Sequence, residues 1–318
     1  MTERLHLRDS YLLEFDARLL ACRVHGGSPA VVLDRTAFYA ESGGQPWDTG
    51  TLGEASVVAV VEQDGDVLHV LDRPLPEGPV RGRVDATRRR DHRQQHHGQH
   101  LLSQAFVEVA AARTIGFHLG AETTTIDLDR TVTSEQIESA ESRANEVAWE
   151  ARAVSVKVVS IDEARGLGVV VPEGVDEDVR LVEAEGFDVQ PCGGTHPRTT
   201  AEVGVVVVTA AERYKGGIRT SFVCGHRALH AVTRRRHVLD RLTSVLSAPL
   251  EELADVAQKT KDDLSASERR ARGLLERALE GEARRLLDVA RGTTALRGAE
   301  PSIVVAAYDG WSANELRV

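Results

Sequence analysis

The sequence predicts an α+β protein in three successive parts, and three observations carry that expectation. Short apolar or alternating runs fill the first 86 residues, helical spacing sets in near residue 91, and a long polar heptad seam follows residue 227. The expected parts are a small β-barrel over 1–86, an α+β domain over 87–226, and a helical, coiled-coil segment over 227–318. The last ends in what reads as the remnant of a further C-terminal domain.

In the first part, strand-like runs fall at 11–15, 18–24, 30–33, 56–62, 67–71 and 80–84. Gly26-Gly27, Asp64-Gly65 and the Pro/Gly group at 74–79 separate them, the punctuation of hairpins and loops. Six strands in so short a span predict a barrel. A loop at 38–50, rich in glycine and aromatic residues, interrupts them. In the second part, Leu101, Leu102, Ala105, Phe106 and Val109 predict a helix over 91–112. Gly98 lies inside it at a cost of about 1 kcal/mol relative to Ala, which fits a position of close approach. Thr133 with Gln136 makes a capping-box pattern that opens a second helix reaching about residue 151. Further strands are expected at 124–128, 154–160, 179–184, 187–189, 203–209 and 218–223, with a short helix at 160–166. In the third part, Leu253, Ala257, Thr260, Leu264, Ser267, Ala271, Leu274 and Ala278 step by alternating four and three residues, a heptad seam. Residues 302–307 read as one strand, which cannot fold alone.

Composition narrows the classes of function. The 318 residues carry a net charge of −10, which argues against a general attraction to nucleic acid. Two local basic groups stand out: Arg81, Arg83, Arg88, Arg89, Arg90 and Arg93, then Arg234, Arg235 and Arg236 with His237. Such patches on an acidic chain suit an enzyme that binds a large anion at one place. Three widely spaced cysteines, at 22, 192 and 224, make no disulfide framework and point to a reducing compartment. No apolar run approaches the roughly 20 residues of a membrane span, and the first residues lack a signal-peptide pattern, so the expected location is the cytoplasm.

The chemistry concentrates in two short stretches. His96-His97-Gly98-Gln99-His100 sets two imidazoles one helical turn apart on one face. Cys192-Gly193-Gly194-Thr195-His196 sets a thiol and an imidazole around a tight Gly-Gly loop. One Cys and three His suit zinc, one ion per chain, held by His96, His100, Cys192 and His196. His97 is expected to point away from it. A metalloprotease is a poor match, because His97, not the Glu base of that motif, follows His96. Four protein ligands match a closed structural site, whereas their origin in two distant segments matches a site at a cleft.

His96-x-x-x-His100 followed by Leu101-Leu102, then Cys192-Gly-Gly-Thr-His196, closely resembles the editing domain of alanyl-tRNA synthetases, a core shared with the threonyl enzymes. The loop from Phe38 to Gly50 resembles the glycine-rich motif of the alanyl type. Lys215-Gly216-Gly217-Ile218-Arg219, running into Phe222-Val223-Cys224-Gly225, resembles the segment that closes that domain. The resemblance covers residues 10 to 230 or so and is to the free-standing alanyl-tRNA editing (AlaX) family. It implies hydrolysis, in trans, of the ester joining serine or glycine to tRNA(Ala), with tRNA(Ala) as partner and no membrane. Such a site is needed because an apolar pocket rejects an added hydroxyl only about 10²-fold.

In this reading Gly193, Gly194 and Thr195 admit the 3′ adenosine, and Gly43, Gly44 and Gln45 contact the substrate. Arg89 and Arg93 face the tRNA phosphates, and Arg219 lies with the closing segment on the same substrate side. His118 stands where the synthetases carry Gln, and with Thr124, on a strand that could read the serine hydroxyl, it is assigned to the catalytic group. Long members continue into a coiled coil, so a homodimer through the C-terminal helices is one arrangement the seam allows. The competing reading is a non-catalytic tRNA-binding module with structural zinc.

Overall fold

The computed structural model describes residues 2–171 and 178–295. These are mixed α and β, in two compact units, one up to Arg234 and one from Arg235. In chain order the first eight strands are β1 (Glu3–Arg4), β2 (Glu14–His25), β3 (Ser28–Leu33), β4 (Arg35–Thr36), β5 (Gly50–Leu52), β6 (Ala55–Gln63), β7 (Asp66–Leu71) and β8 (Gly78–Val84). β1 pairs in parallel with β4. The other six hydrogen-bond in the closed order β2-β3-β7-β6-β5-β8, with β8 returning to β2. In β2, buried Phe15, Ala17 and Leu19 alternate with exposed residues, so one face turns inward. The count of six matches the sequence expectation, but the members differ. The runs expected at 11–15 and 18–24 form parts of one strand, β2, with a register shift after Leu19. The sixth member, β5, is three residues at the end of the glycine-rich loop.

That loop begins inside the barrel. Phe38 is fully enclosed and packs with Phe15, Leu33, Leu52 and Leu71. The loop therefore leaves from a fixed base.

α1 (Ala86–Ala110) starts five residues earlier than its apolar spacing predicts. Its first turn is polar and carries no periodic signal, but Asp85 caps it by accepting from the N–H groups of Thr87 and Arg88. It ends where Ala111 takes a left-handed conformation at φ 49°. Then come β9 (Thr114–Leu119), β10 (Thr124–Leu128), α2 (Ser134–Trp149), β11 (Val154–Ser160), α3 (Ile161–Gly166), β12 (Asp178–Ala184), β13 (Asp188–Pro191), β14 (Val206–Tyr214) and β15 (Gly217–Cys224). The capping box of Thr133 and Gln136 is formed at the start of α2. β9 had no counterpart in the sequence reading.

Two antiparallel sheets result, β14-β15-β10-β9 and β11-β12-β13. Leu101, Leu102, Ala105 and Phe106 of α1 share a core with Ala144 and Val147 of α2 and with Ile126 and Phe222 of the four-stranded sheet. Gly98 allows this approach, since a Cβ there would lie 2.2 Å from the Cys224 sulfur. Cys224 is buried in that core, where burial pushes its thiol pKa up.

α4 (Gly225–Leu246) carries the chain into the second unit, and α5 (Leu253–Ala295) follows a single turn at Leu250–Glu252. Seam residues Leu264 and Leu274 are exposed, 59% and 63%. The strand expected at 302–307 lies outside the described residues. Among those described, no helix is long and apolar enough to cross a membrane.

Candidate metal centre and cleft

The ligand-type atoms of His96, His100, Cys192 and His196 lie within 4.8 Å of one another. His96 and His100 come from consecutive turns of α1, and Cys192 and His196 from the loop after β13. The Cys192 sulfur is 3.1 Å from His196 Nε2 and 3.4 Å from His96 Nε2. Neighbouring ligands of a tetrahedral zinc, with bonds of about 2.0–2.3 Å, stand about 3.3–3.6 Å apart, so the four could hold such an ion with small adjustments.

Each imidazole turns the same nitrogen inward because a separate partner holds the other. His96 Nδ1 meets Gln45 Oε1 at 2.7 Å, His100 Nδ1 meets Asp188 Oδ2 at 3.0 Å, and His196 Nδ1 meets His97 Nδ1 at 3.1 Å. Three elements thus orient the three rings: the glycine-rich loop, β13 and α1 itself. Partners of this kind fix a ligand's tautomer and raise its basicity. His97, which the sequence reading turned away from the metal, sits against His196 as its second layer. If His196 donates from Nδ1, His97 accepts there and keeps its proton on Nε2. That atom is buried, with no hydrogen-bond partner among the described residues.

The electrostatics suit a thiolate. Burial opposes ionisation of Cys192, but the His96 and His196 rings and hydrogen bonds from His100 and His196 outweigh it and hold the thiol well below its ordinary range. Burial pushes His196 down to about 3, the neutral form a metal ligand needs. Burial also lowers His100, yet hydrogen bonds to Asp188 and Cys192 prevail and raise it to about 10. Arg180 on β12 steadies the loop: its Nη1 donates to the Cys192 carbonyl, and its own carbonyl accepts from the Cys192 N–H at 3.0 Å.

The cluster opens onto a cleft of about 650 Å³ whose lining includes Tyr39, Gly43, Phe117, Gln190 and Gly193. Gly194 packs flat on a ligand, since a Cβ there would fall 2.2 Å from His96 Cε1. Gly43 and Gly193 both line the cleft, and a Cβ at either would meet nothing within 4 Å.

Other residues picked from the sequence lie elsewhere. Arg89 is fully buried rather than facing phosphates. It pairs with Asp48 of the glycine-rich loop and donates to the carbonyls of Ser10 and Ala37. Arg93 is 9% exposed, its guanidinium 3.7 Å above the Tyr11 ring. Both follow from helical spacing, because 89, 93, 96 and 100 share the inward face of α1. Gln45 and Thr195 are buried and bonded to each other, Gln45 Nε2 donating to Thr195 Oγ1 at 3.1 Å. They brace the ligands and do not line the cleft. Gly44 packs on β9, where a Cβ would strike Phe117 at 2.6 Å. Arg219 is held by Asp127 at 2.7 and 2.8 Å and covers the Tyr214 ring.

His118 is exposed and does not line the cleft. Its neighbour Phe117 does, with its ring 5.1 Å from that of His96. Adjacent strand residues face opposite ways, so a choice one residue off selects the wrong face. Thr124 is fully buried, and its hydroxyl has no hydrogen-bond partner among the described residues. Asp188 and Arg180 were missed, for no local pattern links them to residues far away in the chain. His97 was visible in the motif, but its role was not.

Comparison with known proteins agrees with this architecture. Residues 179–219 match the family described as the threonyl and alanyl tRNA synthetase second additional domain, and 12–82 match the class II (A) tRNA synthetases. Fold and site therefore define a module of the synthetase-related class. The chain is 35% identical over 277 residues to the alanine–tRNA ligase of Pyrococcus furiosus, covering 81% of this chain but 30% of that enzyme. It is 31% identical over 278 residues to the alanyl-tRNA editing protein Aarsd1-B of Xenopus laevis, covering 81% and 67%. With Aarsd1 of Mus musculus the identity is 32%, covering 80% and 66%. The chain belongs to the family of alanyl-tRNA editing proteins. It spans about 29–34% of the length of the ligases it matches.

Proposed function

We propose that the chain is a zinc-dependent deacylase that hydrolyses, in trans, the ester of serine, and of glycine, on tRNA(Ala). The observation that carries this reading is the Cys–His₃ cluster at the floor of an open cleft, in a chain related to alanyl-tRNA editing proteins. His96, His100, Cys192 and His196 would hold the zinc. When bound, it would supply Lewis-acid polarisation of the ester and activation of water.

The chain's own residues do the rest. Gln45, Asp188 and His97 keep the three rings in one orientation, so the ligand set need not reorganise on binding. The open sides of Gly43 and Gly193 leave room for the terminal ribose and base. Serine exceeds alanine by one hydroxyl, so selectivity requires a polar contact that alanine cannot make. The partner is mischarged tRNA(Ala), the location is the cytoplasm, and the exposed leucines of α5 would pair with a second copy. Velocity sedimentation of Leu264→Asp beside the parent chain tests that pairing.

A second reading has its own support: four protein ligands complete a tetrahedral shell, as in structural zinc sites. One assay separates the two. Seryl-tRNA(Ala) and alanyl-tRNA(Ala) are incubated with the protein, with His100→Ala and with a chelator-treated sample. The deacylase reading expects selective loss of the seryl ester with the intact protein alone. Persistence of that ester, or equal loss with the variant, favours the binding module.

A further inference from the structure

The cleft does not stop at the cluster. It continues along α1 past Ser103 to Val107 and reaches Arg113. At about 1.5 Å per helical residue, Val107 lies about 10 Å beyond His100. That leaves room for a nucleotide laid along the helix, with its ester at the cluster.

Arg113 is placed with care. The left-handed residue Ala111 reverses the chain after α1. The Arg113 N–H then donates to Asp129 Oδ1 at 3.0 Å, and its carbonyl accepts from the Asp129 N–H at 2.9 Å. One residue on, the Thr114 hydroxyl meets that of Ser103 at 2.6 Å, tying the start of β9 to α1. The backbone is thus held on both sides, while the guanidinium feels Asp129 only at longer range and makes no ion pair within 4.0 Å of a carboxylate among the described residues. The nearby Asp129 carboxylate is already paired with Arg130 at 3.0 Å. Among the described residues Arg113 is also the one Arg or Lys in the cleft lining, on a chain of net charge −10. The basic group expected to meet RNA is largely engaged elsewhere, with Arg81 and Arg83 on Glu14, Arg89 on Asp48 and Arg93 on Tyr11.

We propose that Arg113 binds the phosphodiester on the 5′ side of the terminal nucleoside, so that the distal cleft is a subsite for the single-stranded 3′ end of an RNA. The identity of the ligand rests on the deacylase reading above. Arg113 is a binding residue and touches no reacting atom. An unpaired guanidinium at a fixed backbone position suits a phosphate, which accepts two parallel hydrogen bonds from its fork.

The test uses a ligand that cannot be hydrolysed, so it does not depend on catalysis. The probes are 3′-deoxy-3′-(L-serylamino)adenosine and its 5′-monophosphate, titrated calorimetrically into the zinc-loaded protein at low ionic strength. The phosphate should tighten binding about tenfold, the lower end for a hydrogen bond to a charged group. In Arg113→Gln that gain should fall to about onefold, and Arg113→Lys should restore part of it. A gain that persists in Arg113→Gln overturns the subsite and leaves the deacylase reading standing. Failure of both probes to bind the parent protein overturns that reading and the subsite with it. Zinc content and the thermal midpoint of each variant, matched to the parent, exclude misfolding as the cause.

Discussion

Gly193 and Gly194 are adjacent in one loop, yet substituting them should have opposite consequences. Neither has the positive φ that disfavours a side chain, so the backbone tolerates alanine at both. A methyl at 193 meets nothing within 4 Å. A methyl at 194 lies 2.2 Å from Cε1 and 2.4 Å from Nδ1 of His96. Reaching an ordinary contact of about 3.5 Å requires the ring or the loop to retreat by more than about 1 Å. The ring cannot retreat freely, because its Nδ1 is bonded to Gln45 at 2.7 Å. Metal–ligand distances tolerate about 0.2 Å, so Gly194→Ala should detach one of four ligands. If a zinc site of this kind is worth about 10–16 kcal/mol in all, one ligand carries about 3 kcal/mol, on the order of a hundredfold in affinity. Chelator competition at fixed pH reads that ratio directly. Gly193→Ala should bind zinc within about threefold of the parent. Equal affinities for the two variants, or parent-like zinc binding by Gly194→Ala, would refute the packing of Gly194 on His96.

Three further perturbations probe the frame. Arg89→Met leaves the Asp48 carboxylate buried without its partner and two carbonyls without their donor, so denaturant unfolding should show a loss of about 3–5 kcal/mol. An exposed control such as Arg90→Met should cost far less. Asp188→Asn keeps the shape but weakens the hold on His100, and should lower zinc affinity about 10- to 100-fold without abolishing it. His69, enclosed in the barrel against Thr36 and the Val31 carbonyl, is pushed down to about 4 by burial. Above pH 6.5 neither the folded nor the unfolded state carries its proton, so its contribution to stability is intact. As pH falls from 6.5 to 4 the unfolded chain takes up a proton that the folded one refuses, and about 3 kcal/mol is lost. His69→Met should flatten that part of the pH profile in urea titrations.

The four candidate ligands were legible because their spacing is local: a helical i, i+4 pair, and a thiol and imidazole around two glycines. The closing of six strands was legible from their number and punctuation, though β5 was not, being three residues without apolar alternation. The same helical spacing that exposed His96 and His100 also places Arg89 and Arg93 on the inward face. Reading arginines as surface charge hid this, since nothing local announces a buried carboxylate such as Asp48 to receive one. The step from His118 to Phe117 turned on the phase of a strand whose edges were not visible. Asp188 and Arg180 acquire their roles through contacts across the fold, His100 with Asp188 being 88 residues apart.

Zinc K-edge X-ray absorption on the purified, zinc-loaded protein tests the metal centre most directly. One zinc per chain is predicted, with one sulfur at about 2.3 Å and three imidazole nitrogens at about 2.0–2.1 Å. The sulfur should vanish in Cys192→Ala. A shell without sulfur, or a protein that retains no stoichiometric zinc, would contradict the assignment of His96, His100, Cys192 and His196 as a single site.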